Sequence, residues 1–296
     1  MIPVIFIVGP TAVGKSDFAI DLALESGGEI ISADSMQIYK GLDLGTAKLK
    51  DQEMKGVPHH MIDIADPRVN YSVGEYSKTA QSIIDEISKR GKQVIVCGGS
   101  GLYVHSLLYE MDFSGCSVDE KLREQLTLEA EQKGNEHLFA KLTEIDPSAA
   151  ERVHPNNTKR VIRALERAYG DIEEGGLRDF SATFGAKRRY DSTIIRLTSD
   201  RKALYERIER RAEKFFENGL IDEVRGLLNN GIPKDANSMQ GLGYKEIVSF
   251  LDGQFDETEA LRLVKQNTRR FAKRQETWFK RYTDAEIINV NEADKA

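Results

Sequence analysis

Cysteine is scarce in this sequence: Cys97 and Cys116 are the only two among 296 residues. Two thiols spaced this way supply neither a disulfide framework nor a metal-binding cluster, and a reducing cytoplasm is the expected compartment. Long apolar runs are missing as well. Nothing approaches the roughly 18 residues that a membrane helix requires, so no membrane partner is expected. The N-terminus carries no basic, cleavable leader, and Met1 passes straight into the strand-like "IPVIFIVG". Positive charge is not in excess. The formal net charge is −6, which as an average argues mildly against a nucleic-acid partner. Also missing is the apolar strand ending in Asp that a motor ATPase places well downstream of its phosphate loop. The best downstream run, "QVIVCGGSG" (93–101), ends in glycines instead.

What is present is an ordinary globular composition, 40% hydrophobic and 30% charged. Strand-length apolar runs recur at 4–9, 29–34, 93–99 and 193–198, with weaker ones at 59–64 and 285–290. Helical periodicity fills much of the space between them; Ile83, Ile84 and Ile87, for instance, share one side of 72–91. Strands alternating with helices predict an α/β fold, a parallel sheet flanked by helices on both faces. From 113 to 191 the character changes. No strand run appears there, the stretches 119–146 and 156–170 are helical and highly charged, and 175–191 reads as a mobile loop. The expected organisation is a core of residues 1–112 and 192–296 interrupted by a helical insertion at 113–191.

The most specific local signal is "GPTAVGKS": Gly9, Pro10, Thr11, Ala12, Val13, Gly14, Lys15 and Ser16. It satisfies G-x-x-x-x-G-K-[ST] between a strand and a helix, the setting that gives this motif its meaning. The glycines let the backbone curl so that successive N–H groups point at one anion, and the helix beginning near Lys15 adds its positive end. Lys15 supplies a point charge and the Ser16 hydroxyl a ligand for Mg²⁺. Most such loops hold ATP. The motif establishes affinity for a di- or triphosphate and leaves the reaction open.

Asp34 narrows it. The run "EIISAD" (29–34) ends in this carboxylate, at the sheet edge where open α/β folds bind ligands. An acid there is placed to act on a second substrate, although it also suits a turn or helix cap. Loop and carboxylate together point to transfer between two substrates. Two chemistries fit: phosphoryl transfer from ATP, or transfer of a carbon from a diphosphate leaving group.

Seven segments appear in order: "GPTAVGKS", "ISADSMQIYKGLDLGTAK" (31–48), "VPHHMIDI" (57–64), "GGSGLYVHSL" (98–107), "HPNNTKRVIRALE" (154–166), "MQGLGYKE" (239–246) and "NTRRFAKRQETWFKR" (267–281). Together they resemble the bacterial tRNA dimethylallyltransferases, also called tRNA isopentenyltransferases, nearly end to end. Ser100 stands where the family more often has Thr, which keeps the hydroxyl, and the zinc-finger extension of eukaryotic relatives is absent. The resemblance implies a P-loop NTPase-like core with a helical insertion that grips the anticodon stem-loop. It implies transfer of a dimethylallyl group from dimethylallyl diphosphate to the N6 amine of the adenosine 3′ to the anticodon of tRNA. The alternatives are an adenylate isopentenyltransferase acting on free nucleotide and a small-molecule P-loop kinase. The charged insertion and a basic C-terminal helix favour a macromolecular acceptor. A monomer is the default expectation.

The resemblance also suggests roles. Asp34 would accept the proton of the amine, and Thr11 would touch the diphosphate or the amine. Arg207 and Arg211 stand four residues apart on one helix face. Arg211 is the expected diphosphate clamp, with pairing to Glu206, Glu209 or Glu213 as the alternative. Ser35, Met36 and Gln37 would line the base pocket, Gln37 pairing bidentately with adenine. Ser100, Arg123 and Arg160 match positions that meet tRNA. Residues 262–281 carry eight Lys and Arg against Glu276 alone, including Lys273 and Arg274, so this helix is expected to face RNA phosphates. Val264, Phe271, Trp278 and Tyr282 form the stripe expected to pack on the core. His59–His60 lacks a third ligand and reads as structural. For Gly243, Tyr244 and Lys245, packing and RNA contact both remain open.

Overall fold

The apolar runs fold as β1 (Pro3–Val8), β2 (Glu29–Ser32), β3 (His59–His60), β4 (Val94–Gly98), β5 (Asp191–Thr198) and β6 (Glu286–Asn289). They form one sheet in the order β3-β2-β4-β1-β5-β6. Every pairing is parallel. In the computed structural model, which describes residues 1–111, 120–169 and 183–293, β1 is central. Its last residue, Val8, lies in register with Gly98 of β4 and Arg196 of β5. All strand C-termini therefore open on one edge.

Both faces of the sheet are covered. Ile7, Ile95, Ile195 and Leu197 cluster with Ala19, Ile20 and Ala23 of α1 (Lys15–Ser26) and with Leu204 and Ile208 of a later helix. The alternate strand residues Val4, Phe6, Val8, Val94 and Val96 are equally buried. With a side-chain period of two they point to the opposite face, where α2 (Val73–Lys89) and α3 (Gly101–Leu108) pack against β4. α2 starts sharply because Ser72 and Glu75 form a reciprocal capping box. It buries Tyr76, Ala80, Ile84 and Ile87, one stripe at helical spacing. This is a P-loop NTPase-like α/β fold.

The chain divides into two compact units, Met1–Glu110 with Lys187–Ala296, and Met111–Ala186. In the second, α4 (Glu120–Lys133), α5 (Asn135–Ile145), α6 (Pro147–Ala150) and α7 (Thr158–Tyr169) enclose their own core of Leu126, Leu138, Leu142, Val161 and Leu165. The loop expected at 175–191 lies outside the described residues as far as residue 182. The first unit resumes with β5 and then α8 (Arg201–Glu217), α9 (Leu220–Asn229), α10 (Tyr244–Leu251), α11 (Glu257–Phe279) and the short α12 (Val290–Ala293).

Candidate active site: a phosphate loop beside a carboxylate turn

The loop after β1 is held open by its surroundings. Gly14 caps α1 with φ 98°, and among the described residues no side chain caps that helix N-terminus. Its first N–H groups are thus left for an external acceptor. Ala12 is held at φ 63°, unusual for a residue with a Cβ. Its carbonyl accepts from Arg207 Nε at 3.0 Å, and the same guanidinium reaches Ser199 and Asn291. The Lys15 ammonium donates to the Pro10 carbonyl at 2.7 Å, folding back across the curl. Burial pushes the Lys15 ammonium down to about 8. The Cys97 and Asp34 charges oppose that shift and the Arg211 cation adds to it. Burial pushes the Cys97 thiol up to about 11.

Asp34 lies two residues beyond the end of β2. Its Oδ1 accepts from Met36 N at 2.9 Å and Gln37 N at 3.4 Å, which closes the turn. Among the described residues Oδ2 accepts no hydrogen bond. The two readings of Asp34 thus fall on different oxygens, one for the turn and one for a visiting donor. Arg211 is the other cation here. Burial lowers its pKa from the usual arginine range and Asp34 works against that shift. Its guanidinium lies over the Phe215 ring, 5.2 Å from the centroid. Two half-buried cations and one carboxylate within electrostatic reach of each other make a site short of an anion.

The turn after β4 completes the floor. The Ser100 hydroxyl accepts from Ser35 N at 2.9 Å and donates to Ser35 Oγ at 3.1 Å. Ser100 N donates to the Ala33 carbonyl. From α11, the buried Gln275 accepts from Thr11 N at 2.8 Å and donates to the Gly99 carbonyl at 3.0 Å. The glycines of this turn are close-approach positions. A Cβ on Gly99 would lie 2.2 Å from the Gln275 amide nitrogen, and one on Gly101 2.5 Å from the Trp278 indole.

Comparison with known proteins decides the family: the model described as IPP transferase matches residues 37–282. The chain belongs to this family. It is 48% identical over 290 residues to the tRNA dimethylallyltransferase of Alkaliphilus oremlandii, covering 98% of this chain and 92% of that one. A solved tRNA isopentenylpyrophosphate transferase from Bacillus halodurans is 41% identical, with TM-score 0.73 over 98% of this chain and 90% of that chain. A eukaryotic dimethylallyltransferase, solved acting on tRNA, gives TM-score 0.78 at 28% identity, over 98% of this chain and 74% of that chain.

The structure gives partners within the chain to Gln37, Ser100, Arg123 and part of α11, and leaves other predicted contacts exposed. The Gln37 amide is engaged within the chain: Oε1 accepts from Ser32 Oγ at 2.9 Å and Nε2 donates to the Thr46 carbonyl at 3.2 Å. These bonds make Gln37 a brace for the 42–46 loop, and each amide atom keeps one further lone pair or N–H. The Ser100 hydroxyl is engaged with Ser35. Arg123 is held bidentately by Glu166, at 2.6 and 2.9 Å, joining α4 to α7. The Arg160 side chain is exposed on α7. On α11, Arg262, Lys265 and Arg269 are neutralised by Glu259, Glu213 and Glu209. Lys273 and Arg274 are exposed. The buried residues of that helix are Ala260, Val264, Ala272, Gln275 and Phe279, and Tyr282 just beyond it is buried, so Val264 and Tyr282 of the expected stripe pack on the core. Phe271 and Trp278 are half-buried, with Arg274 and Arg281 lying over their rings.

The "GLGYKE" segment has a packing role. The Tyr244 hydroxyl donates to Glu223 Oε1 at 2.6 Å while Leu44 N donates to Oε2 at 2.8 Å. The Tyr244 ring fills the space where a Cβ on Gly45 would lie, 2.4 Å away. Glu223 and Gln275 carry no local signature and escaped the sequence reading. His60 pairs with Glu29 at 2.7 Å beside Arg90, and His59 meets the Val57 carbonyl at 2.8 Å, so both histidines serve the sheet edge.

Proposed function

We propose that this chain transfers the dimethylallyl group of dimethylallyl diphosphate to the N6 amine of the adenosine 3′ to the anticodon of tRNA, releasing diphosphate. The observation that carries the reading is the trio of Lys15, Arg211 and Asp34: two desolvated cations for a leaving diphosphate, and a carboxylate oxygen for an incoming amine.

The adenine amine is a weak nucleophile because its lone pair is delocalised into the ring. The allylic donor compensates, since positive charge spreads over the allyl group as its C1–O bond breaks. The enzyme's main task is then to stabilise the charge that develops on the departing diphosphate. The uncapped amides of α1, Lys15 and Arg211 perform it. As the C1–N6 bond forms, the amine becomes acidic and passes its proton to Asp34 Oδ2, so an ordinary carboxylate is base enough. The hard oxygen of Ser16, half-buried in the first turn of α1, suits Mg²⁺. Among the described residues no group of three acidic, His or Cys side chains forms a cage, so the other ligands would be diphosphate oxygens and water. When bound, the ion supplies further neutralisation of the leaving group. The exposed Lys273 and Arg274, with Arg160 and Arg123 of the helical unit, are our choice of RNA contacts, and Thr11, Ser35 and Met36 border the acceptor side.

Incubation with labelled dimethylallyl diphosphate and either unmodified tRNA or AMP tests this. Label in the tRNA is the expected result. Label in AMP, or ATP consumption with neither acceptor labelled, would replace the proposal with the nucleotide prenyltransferase or the kinase respectively.

A further inference from the structure

Thr11 and Asp34 follow β1 and β2, which are not neighbours: β4 lies between them. No backbone ladder therefore ties the diphosphate loop directly to the carboxylate turn. Backbone ladders connect the two only by way of β4, and side chains span the turns beyond the strand ends. Gln275 joins Thr11 N to the Gly99 carbonyl, and Ser100 joins the next position to Ser35 and Ala33, which flank Asp34. The Gln275 amide has one orientation here, because its two partners are a backbone donor and a backbone acceptor. At 5% exposure it lies under the site, and substrates do not reach it.

We propose that Gln275 is a positioning residue that sets the spacing between the donor's diphosphate and the carboxylate facing the acceptor amine. The inference rests on the transfer reading above. In-line displacement needs the allylic carbon and the amine held at near-contact distance, and misplacement by an ångström costs about 10²-fold in rate. Gln275 meets that need from α11, the helix that also carries Lys273 and Arg274.

Two variants test it, with wild type assayed alongside on dimethylallyl diphosphate and unmodified tRNA. Gln275→Leu keeps the bulk and removes both bonds. With both substrates saturating, its single-turnover rate per folded molecule is expected to fall about 10²-fold, while tRNA affinity stays within about threefold of wild type. Gln275→Glu keeps an acceptor for Thr11 N but sets a carboxylate oxygen against the Gly99 carbonyl. Protonation would restore the missing donor, so its rate relative to wild type should rise about tenfold between pH 8 and pH 6. A leucine variant of lower thermal stability whose folded fraction turns over within twofold of wild type would make Gln275 merely structural and overturn the proposal. So would a flat pH ratio for the glutamate variant, which decides alone if the leucine variant does not fold. A wild type inert toward tRNA yet active on AMP would strike the transfer reading instead.

Discussion

Arg207 Nε donates to the Ala12 carbonyl at 3.0 Å, so the arginine one helical turn before Arg211 belongs to the loop's scaffold. It supports a residue at positive φ from behind, while Arg211 shares a desolvated space with Lys15 and Asp34. Position on the helix does not separate the two, but their partners do. Arg211→Ala should lower turnover about 10²- to 10³-fold, the loss typical of one oxyanion-stabilising donor, with thermal stability unchanged or raised because a partly desolvated cation is gone. Arg207→Ala should lower stability and weaken diphosphate binding together. Thermal melts and steady-state kinetics on both variants distinguish the roles, and matching losses would remove the distinction.

Asp34→Asn isolates proton acceptance from folding. The amide oxygen still accepts from Met36 N and Gln37 N, so the turn survives. Turnover should fall at least about 10²-fold with little change in tRNA affinity. An asparagine variant of wild-type rate would take the proton-acceptor role from Asp34.

Lys15 makes diphosphate affinity depend on alkaline pH. Its ammonium, held at about 8 by burial, is charged below that pH and neutral above it. A bound diphosphate favours the charged form, so the lysine's contribution to affinity is full below about pH 8 and is lost as pH rises through it. Calorimetric titration with inorganic diphosphate should show the dissociation constant rising about tenfold between pH 7 and pH 9. Lys15→Arg should abolish that dependence, whatever its absolute affinity.

On α11 the charges divide into paired and presented sets. Replacing Lys273 and Arg274 together by Ala should reduce the slope of log affinity against log salt by about 1.4 to 1.8, as for two lost phosphate contacts. Arg262→Ala should leave the slope unchanged, because Glu259 already neutralises that guanidinium. Filter binding of tRNA across a salt series reads both.

His105 is fully buried, with Nδ1 3.1 Å from the Tyr282 hydroxyl, and burial holds its imidazole at about 4. The unfolded chain, titrating near 6.5 at this residue, binds a proton that the folded chain refuses. Stability therefore falls as pH drops from about 6.5 and this loss is complete below about 4. Denaturant melts of His105→Gln should show a lower stability at pH 8 and a shallower acid dependence, by one proton, than wild type.

The two signals nearest the chemistry were legible because each is local. "GPTAVGKS" needs only its own glycines and the following helix to curl around an anion, and Asp34 follows an apolar run whose end must meet the crevice. Gln37 and Arg123 illustrate the opposite case. Each has the hydrogen-bonding capacity to read RNA, and each commits part of it to residues elsewhere in the chain, Gln37 to Ser32 and Thr46, Arg123 to Glu166. A free and a committed polar group look the same along a sequence.

The sequence by itself determined the parallel sheet, the loop and its cations, and the carboxylate at the second strand, since apolar periodicity and turn chemistry act over a few residues. Only the tertiary structure decided which arginine braces the loop and which faces it, which charges of α11 are neutralised by α8, and that a glutamine in a basic helix lies under the site. Those outcomes depend on which helices pack together and in what register, and burial removes water as the competing partner only once they have done so.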